Sequence, residues 1–241
     1  METNIQELKL NLRQSNIKYV KVAITDIDGV LRGKYMHVDK FLKSIESGYG
    51  FCDVIFGWDS SDDLYEFKTS DEQNLFTGWH TGYPDQTVRI ILDSQRTIPF
   101  ERNTPFFLSE LKDGEVCPRN ALKKTLELLK ELGFKGKSAL EYEFFLFKET
   151  PHSVREKDFQ NLASFTPGMF GYSMLRNSVH SELFQEILEM CESMDLPLEG
   201  LHTETGPGVL EAAIAADETL KSADKAVLFK TFMKVLAQRK N

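Results

Sequence analysis

Two stretches decide the fold and the chemistry of this chain: A-L-E-Y-E-F-F-L-F at residues 139–147 and E-G-L-H-T-E-T-G-P-G-V-L-E at residues 199–211. The first holds two glutamates two positions apart, and the second holds two on either side of a Gly-Pro-Gly turn. These four are Glu141, Glu143, Glu204 and Glu211. Side chains two residues apart on a strand point to the same face, so Glu141 and Glu143 are expected to project side by side.

Four carboxylates that converge on one spot need cations, because unpaired negative charges are costly to bury. Hard divalent ions such as Mg²⁺ or Mn²⁺ are the natural partners of carboxylate oxygens. Paired divalent ions are also how enzymes hold a nucleoside triphosphate during phosphoryl transfer. The alternative for Glu141 and Glu143 is that they are solvated, outward-pointing strand residues.

Composition and charge narrow the class of protein. The 241 residues suffice for one large domain or two of ordinary size, and 18 phenylalanines supply material for a core. A net charge of −8 argues against nucleic acid or an anionic membrane as the main partner. There is no apolar run of membrane-spanning length and no signal-peptide pattern, and the three cysteines are isolated. We therefore expect a cytoplasmic protein with reduced thiols.

The pattern of the first part predicts a small mixed sheet with a helix on it, ending near residue 115. A helix and a strand lead to Asp28-Gly29, which predicts a hairpin with a primed turn that needs positive φ at both residues. A helix that ends near Gly48 and strands that begin near Thr87 and Pro105 complete this part.

The pattern of the second part predicts an amphipathic helix after Cys117, the glutamate strand, and a polar loop over residues 149–172. A helix over residues 178–194, the Gly-Pro-Gly hairpin and a final helix from about Glu218 follow. The residues expected to face inward on the first of these helices are Leu122, Leu126, Leu129 and Leu132.

The segment I-T-D-I-D-G-V-L at residues 24–31 supports a different hypothesis. It matches the signature of haloacid-dehalogenase-like phosphatases, in which Asp26 would be the nucleophile and Asp28 the general acid. The later lysine and paired acidic residues that this chemistry needs at strand ends are not evident in the sequence. A plain hairpin also explains Asp28-Gly29, so the phosphatase is the alternative from another enzyme class.

Several segments, in order along the chain, resemble the glutamine synthetase family. D-I-D-G-V-L-R-G-K is similar to the opening strands of its small β-grasp domain, and C-P-R-N-A-L-K-K to the entry into its catalytic domain. The two glutamate stretches resemble G-x-E-x-E-F-x-L-F and H-x-E-x-G-P-G-Q-x-E. The closing helix A-D-K-A-V-L-F-K-T-F-M-K-V-L-A is likewise similar.

This resemblance implies an α+β fold, with a β-grasp domain over residues 1–115. An incomplete catalytic domain over residues 116–241 would follow, with a curved antiparallel sheet and packed helices. The family's M-H-x-H strand, its N-R-x-x-P segment and its later glutamate and arginines would lie after Asn241. We therefore expect a shortened chain that binds a divalent ion but turns over poorly by itself.

The resemblance also implies an ATP-dependent ligase that joins glutamate to ammonia or a small amine through a γ-glutamyl phosphate, in a homo-oligomer. Glu143, Glu204 and Glu211 resemble the ligands of the metal on the glutamate side. Glu141 resembles a ligand of the second metal, which holds the ATP phosphates. Glu199 resembles the family's nucleotide-contacting glutamate, although an exposed strand residue is the alternative. The metals would be Mg²⁺ or Mn²⁺, with ATP as co-substrate.

Other positions resemble the family less closely. The F-G-W-D-S-S segment is offset by one residue from the family's F-D-G-S-S loop, which makes Asp59 the candidate for the ammonium-binding acid. His202 resembles the first histidine of a pair whose second member is Thr203 here. Val209 and Leu210 replace a glutamine and a polar or aromatic residue. A catalytically inactive homologue or fragment with a structural role is therefore a further alternative.

Overall fold

In the computed structural model, which describes residues 5–65, 76–114 and 116–240, the chain divides into two units, Met1–Lys135 and Gly136–Asn241. Both units combine helices with sheets, so the α+β class expected from the sequence is confirmed. The β-grasp assignment of the first unit and the domain boundary after residue 115 stay predictions.

A mixed sheet forms the first unit, with strand order β2-β1-β6-β4-β3 and β5 paired to β6. Strand β1 runs parallel to β6, and the other pairs are antiparallel. Short 3₁₀ turns follow β3 and β4. The elements are α1 Ile5–Gln14, β1 Tyr19–Thr25, β2 Leu31–His37, α2 Val38–Ser47, β3 Tyr49–Cys52, β4 Asp85–Ile90, β5 Arg96–Ile98, β6 Thr104–Leu111 and α3 Pro118–Glu131.

The core of the first unit follows from apolar alternation. Val20, Val22 and Ile24 of β1 are fully buried in one cluster with residues of α1, α2, β4 and β6. The rings of Phe41 and Phe107 meet in this cluster at a centroid distance of 4.6 Å. The predicted end of α2 is confirmed, because Gly48 caps it at φ 74°, a conformation that costs glycine little.

The hairpin between β1 and β2 is confirmed, but its predicted primed turn is wrong. Gly29 has a φ of 71°, whereas Asp28 is not among the residues with positive φ. The Asp26 side chain shapes the turn instead. Its carboxylate accepts hydrogen bonds from the backbone N–H groups of Asp28 (3.0 Å) and Val30 (2.8 Å) and from the guanidinium of Arg32 (2.7 Å). Asp26 is 0% exposed, so its carboxylate cannot meet a substrate as a nucleophile would.

Replacing Asp26 with asparagine should destabilise the chain by about 3 kcal/mol, because it leaves Arg32 beside an amide that cannot balance its charge. Urea unfolding measures this loss. The exposed Asp113 provides the control, since Asp113→Asn should change stability by less than about 0.5 kcal/mol. Phosphate release from simple esters that disappears in a folded Asp26→Asn variant would instead favour the phosphatase.

Helix α3 is joined to β6 by ion pairs. The Glu110 residue is 5% exposed, and its carboxylate forms ion pairs with two cations of α3. These cations are Arg119 and Lys123, whose Nζ lies 2.7 Å from Glu110 Oε1. Burial alone would raise the pKa of Glu110, but these two cations lower it below its usual value. Leu122, Leu126 and Leu129 of α3 are half-buried, in line with their predicted inward positions. Leu132 is 73% exposed, so the prediction is wrong for this residue.

The second unit is a three-stranded antiparallel sheet in the order β7-β9-β8, with helices beside it. The segment expected to be a polar loop contains α4, and the predicted helix over residues 178–194 is two helices that meet at His180. No helix in the described part of the chain has both the length and the apolar character to cross a membrane. The elements are β7 Lys137–Phe145, α4 Pro151–Glu156, α5 Met174–Val179, α6 Ser181–Ser193, β8 Leu198–Thr203, β9 Val209–Glu218 and α7 Thr219–Arg239.

Helix α7 packs on one face of this sheet. The rings of Tyr142 and Phe144 lie 5.4 and 6.0 Å from the ring of Phe229, and the Tyr142 hydroxyl donates to the Ala226 carbonyl at 3.2 Å. Successive residues of β7 alternate between half-buried and exposed. The glutamates of β7 therefore lie on the face opposite α7.

Candidate metal site

Strand register brings acidic residues from both sequence stretches into one row. Glu143 of β7 lies opposite Glu211 of β9, and Glu211 lies opposite His202 of β8. Paired residues on neighbouring strands share a face, so the three side chains lie side by side. Glu141 occupies the next row on the same face, opposite Ala213. Glu204 follows His202 by two residues. Its N–H donates to the Val209 carbonyl at 3.1 Å, which continues the hydrogen-bond ladder between β8 and β9.

Three of these residues are close enough to hold one metal ion. Ligand atoms of His202, Glu204 and Glu211 all lie within 4.8 Å of one another. His202 Nδ1 lies 3.7 Å from Glu204 Oε2, and His202 Nε2 lies 3.8 Å from Glu211 Oε2. The three side chains are 14–23% exposed, which leaves room for an ion to enter.

One oxygen of this cluster shows that the residues fit a cation. Glu204 Oε1 accepts the Thr205 hydroxyl at 2.8 Å, whereas the buried Glu204 Oε2 has no hydrogen-bond partner in the described part of the chain. A buried, unpartnered carboxylate oxygen is unfavourable unless a cation neutralises it. Two carboxylates and an imidazole suit a divalent ion, and the imidazole adds preference for Mn²⁺ or another transition metal over Mg²⁺.

The other predicted ligands lie nearby but outside this cluster. Glu143 is exposed opposite Glu211, and Glu141 is exposed in the row that holds Ala213 and Gly200. Glu199 is exposed at a register shift in β8, between Leu198 and Gly200. The roles assigned to these three glutamates stay predictions. The third member of the cluster with Glu204 and Glu211 is His202, whereas the family resemblance implied Glu143.

Tyr172 is a member of the site that the sequence did not indicate. Its ring stacks on the His202 ring at a centroid distance of 4.4 Å and an angle of 23°. The charges of Glu204 and, to a smaller extent, partial burial and the other three glutamates raise the pKa of its phenol. The phenol of Tyr172 therefore lies in the negative field of these glutamates.

The backbone holds Tyr172 in an unusual conformation, with φ at 54°. Its N–H donates to the Thr203 carbonyl at 2.7 Å, and the Thr203 hydroxyl donates to the Phe170 carbonyl at 2.9 Å. Non-glycine residues adopt positive φ at some cost, and such strain concentrates at functional positions. No motif marks Tyr172, because its place depends on the free edge of β8.

The Gly-Pro-Gly turn connects Glu204 to Glu211 and is tightly enclosed. Gly208 has a φ of 76°, and a Cβ built on it would lie 2.6 Å from the Leu146 carbonyl oxygen and 3.0 Å from the Phe165 nitrogen. The Leu146 N–H donates to the Gly208 carbonyl at 2.8 Å, and the Gly208 N–H donates to the Thr166 hydroxyl. The segment after β7 therefore supports the turn between Glu204 and Glu211.

Glu149 organises the loop that reaches this turn. Its carboxylate accepts the Ala163 N–H at 2.9 Å, the Ser153 hydroxyl at 2.6 Å and the Lys157 ammonium at 2.5 Å. These bonds, the backbone one foremost, lower the pKa of Glu149 to about 2. The loop is therefore fixed by a carboxylate that stays ionised across the ordinary pH range.

Glu149→Gln should lower stability at neutral pH and remove part of the acid sensitivity of the chain. The pKa of Glu149 is lower in the folded state than its ordinary value of 4.5, so its stabilisation is present above about pH 4.5 and is lost as the pH falls toward 2. Urea unfolding at pH 7 and pH 3 should show that wild type and variant differ more in the free energy of unfolding at pH 7 than at pH 3. The exposed Glu189 gives the control, and an equal gap for Glu189→Gln would contradict this role.

Asp59 lies in the first unit and shapes its own loop. Its Oδ1 accepts the N–H groups of Ser61 at 2.7 Å and Asp63 at 3.0 Å. Arg32 bridges to this loop through the Asp59 carbonyl at 3.1 Å and the Asp62 carboxylate at 2.5 Å. A role for Asp59 as an ammonium-binding acid stays a prediction.

Comparison with protein families decides how this geometry is interpreted. The sequence model of the glutamine synthetase catalytic domain matches residues 115–241, just over half of the chain. The chain belongs to the glutamine synthetase family. The glutamine synthetase match covers His202, Glu204, Glu211, Glu141 and Glu143 alike.

Known relatives extend the likeness over nearly the whole chain. The chain is 46% identical over 240 residues to type-1 glutamine synthetase 2 of Dictyostelium discoideum, covering 97% of this chain and 45% of that protein. It is 31% identical over 246 residues to a glutamate–isopropylamine ligase of Pseudomonas sp., covering 99% and 52%. The chain thus spans about half the length of the glutamine synthetase relatives that it matches.

A solved structure shows the same fold. Glutamine synthetase of Plasmodium falciparum superimposes with a TM-score of 0.69 over 99% of this chain and 49% of that one. The sequence identity is 19%, so this likeness to a glutamine synthetase concerns the fold alone.

Proposed function

We propose that this chain carries the metal site of an ATP-dependent glutamate ligase. The γ-carboxylate of glutamate would take the terminal phosphoryl group of ATP, releasing ADP. Ammonia or a small amine would then attack the acyl carbon, release phosphate and lose a proton. The observation that carries the proposal is the unpartnered Glu204 oxygen beside His202 and Glu211 on a carboxylate-lined face.

The residues of this face have separable roles in the proposal. His202, Glu204 and Glu211 hold the first ion, and Glu143 borders it from the neighbouring strand. Glu141 is the candidate ligand for a second ion and Glu199 for nucleotide contact. A bound Mg²⁺ or Mn²⁺ would neutralise charge between anionic substrates and polarise phosphoryl oxygens. Carboxylates suit this task because they remain ionised at neutral pH.

The names of the relatives support a ligase and leave the amine open. One relative is a glutamine synthetase and another a glutamate–isopropylamine ligase, so both names fit a reaction at glutamate with different amines. Asp59 stays the proposed ammonium-binding acid. Assembly into a homo-oligomer is likewise part of the proposal.

The test is ATP-dependent formation of γ-glutamyl hydroxamate from glutamate and hydroxylamine. We expect slow product formation by the 241-residue chain, because the row of Glu141 otherwise holds only Ala213 and Gly200 and gives the second ion no further ligand from these strands. Product that requires ATP and is lost in Glu204→Gln supports the ligase. Ion binding without any hydroxamate would favour a structural homologue.

A further inference from the structure

The first unit contains a pocket that none of the predicted site residues lines. It has a volume of about 570 Å³ and lies where β1 and β6 begin and β2 ends. We call it the strand-end pocket. Its lining residues are Ser15, Asn16, Ile17, Lys18, Tyr19, Tyr35, Arg102, Asn103, Thr104 and Pro105.

The charge of the strand-end pocket is opposite to that of the whole chain. The chain carries a net charge of −8, yet the pocket is lined by two cations, Lys18 and Arg102, and by no carboxylate. Within the described ranges, neither side chain forms an ion pair, whereas many other cations of the first unit do. An uncompensated positive pocket on an acidic protein attracts anions locally.

The adjacent acid does not cancel this charge. Glu101 precedes the pocket residue Arg102, but its carboxylate is held by Lys21 at 2.6 Å and by the Tyr35 hydroxyl at 2.8 Å. The ammonium of Lys21 also lies over the Tyr35 ring, 4.7 Å from its centroid. Glu101 and Lys21 therefore neutralise each other and fix the Tyr35 wall, while Lys18 and Arg102 stay available.

The loops that present these cations have a defined shape. Asn16, Arg102 and Asn103 have φ values of 52°, 53° and 56°. Asparagine tolerates this conformation because its short side chain can form local hydrogen bonds, whereas arginine cannot. Arg102 is therefore held in this conformation by its turn. The Thr104 hydroxyl and N–H both donate to the Glu101 carbonyl and close this turn. Tyr19 adds an aromatic wall that is 53% exposed.

We propose that the strand-end pocket binds a phosphomonoester that carries a flat ring. The guanidinium of Arg102 matches two phosphate oxygens at once, and Lys18 adds a second positive charge. The rings of Tyr19 and Tyr35 offer faces and edges to a planar group. The site is separate from the candidate metal site, since its lining residues all belong to the first unit.

The experiment is calorimetric titration of the full chain with phenyl phosphate and with inorganic phosphate. It is done at low salt with a chelator present, so that the metal site cannot bind phosphate through an ion. We expect saturable 1:1 binding with a Kd of about 1 mM or below. Phenyl phosphate should bind several-fold more tightly than phosphate because of the tyrosine rings, an effect of about 2- to 10-fold.

Two variants separate this site from general charge attraction. The double variant Lys18→Gln with Arg102→Gln should weaken binding by about tenfold or more, because each charged hydrogen bond is strong. Arg13→Gln removes a charge of the same sign at an exposed position of α1 outside the pocket and should leave the Kd unchanged. The proposal is overturned if neither phenyl phosphate nor inorganic phosphate shows saturable binding. It is also overturned if the folded double variant binds them as tightly as the wild type does. Loss of affinity in Arg13→Gln as large as in the double variant would also overturn it.

Discussion

Glu204→Gln should abolish specific binding of Mn²⁺ or Mg²⁺ by the chain, with an increase in Kd of at least about 100-fold. Changes to groups that merely orient metal ligands already cost about 10- to 100-fold, and Glu204 is a proposed ligand itself. Its Oε2 is buried without a hydrogen-bond partner in the described residues, so a bound ion would supply the compensation that it lacks. Glutamine keeps the shape but removes the charge. Calorimetry with each ion on wild type and variant measures the difference.

A set of matched variants decides which residues hold the first ion. Glu211→Gln and His202→Asn should weaken binding strongly, because these residues form the cluster with Glu204. Glu143→Gln should weaken it less, since Glu143 is exposed and lies outside that cluster. The control is Glu189→Gln, an exposed glutamate of α6. If Glu143→Gln costs as much as Glu211→Gln while His202→Asn leaves the Kd unchanged, the ligand set implied by the family resemblance is correct and the imidazole is not a ligand.

Gly208→Ala should destabilise the second unit and weaken the metal site, with a loss of about 2–4 kcal/mol in the free energy of unfolding. The left-handed backbone costs alanine about 1–2 kcal/mol, and the contact with the Leu146 carbonyl adds the cost of moving backbone. Gly208 is at φ 76° with that oxygen 2.6 Å from the added Cβ. Chemical unfolding measures the stability, and Mn²⁺ titration below the transition measures the site.

Gly168→Ala provides the control for the conformational cost alone. Gly168 has a similar φ of 68°, but an added Cβ would meet only the edge of the Phe170 ring at 3.5 Å. We expect a loss of about 1 kcal/mol for this variant and a nearly unchanged affinity for Mn²⁺. Equal losses for both variants would show that the close approach of Leu146 to Gly208 does not support the turn.

Local rules made several elements predictable. The end of α2 at Gly48, the strand with Glu141 and Glu143, and the final helix follow from side-chain periodicity and from glycine's access to positive φ. The Asp28-Gly29 turn was predicted in position but not in type. Its conformation depends on the buried Asp26 carboxylate and on Arg32, a contact six residues along the chain that no dipeptide rule contains.

The cluster of His202, Glu204 and Glu211 shows where such rules stop. The sequence identifies His202, Glu204 and Glu211 as neighbours along the chain, with a turn between them. It does not tell which of them approach one another, because that depends on strand pairing. Placing Glu211 between Glu143 and His202 requires the register of two strand pairs. To predict the position of Tyr172, one would also need the packing of its loop. Its ring reaches His202 only because its backbone N–H bonds to the edge of β8.

The sequence by itself determined the α+β class, the resemblance to glutamine synthetases and the four glutamates of the carboxylate-lined face. Each of these depends on residue type and short-range spacing, which the chain carries in any conformation. Only the tertiary structure decided that His202 joins Glu204 and Glu211, that Tyr172 covers the imidazole and that Lys18 and Arg102 share a pocket. Tyr172 and His202, like Lys18 and Arg102, are far apart along the chain, and His202, Glu204 and Glu211 are separated by a turn. All three arrangements are set by strand register and loop packing rather than by local preference.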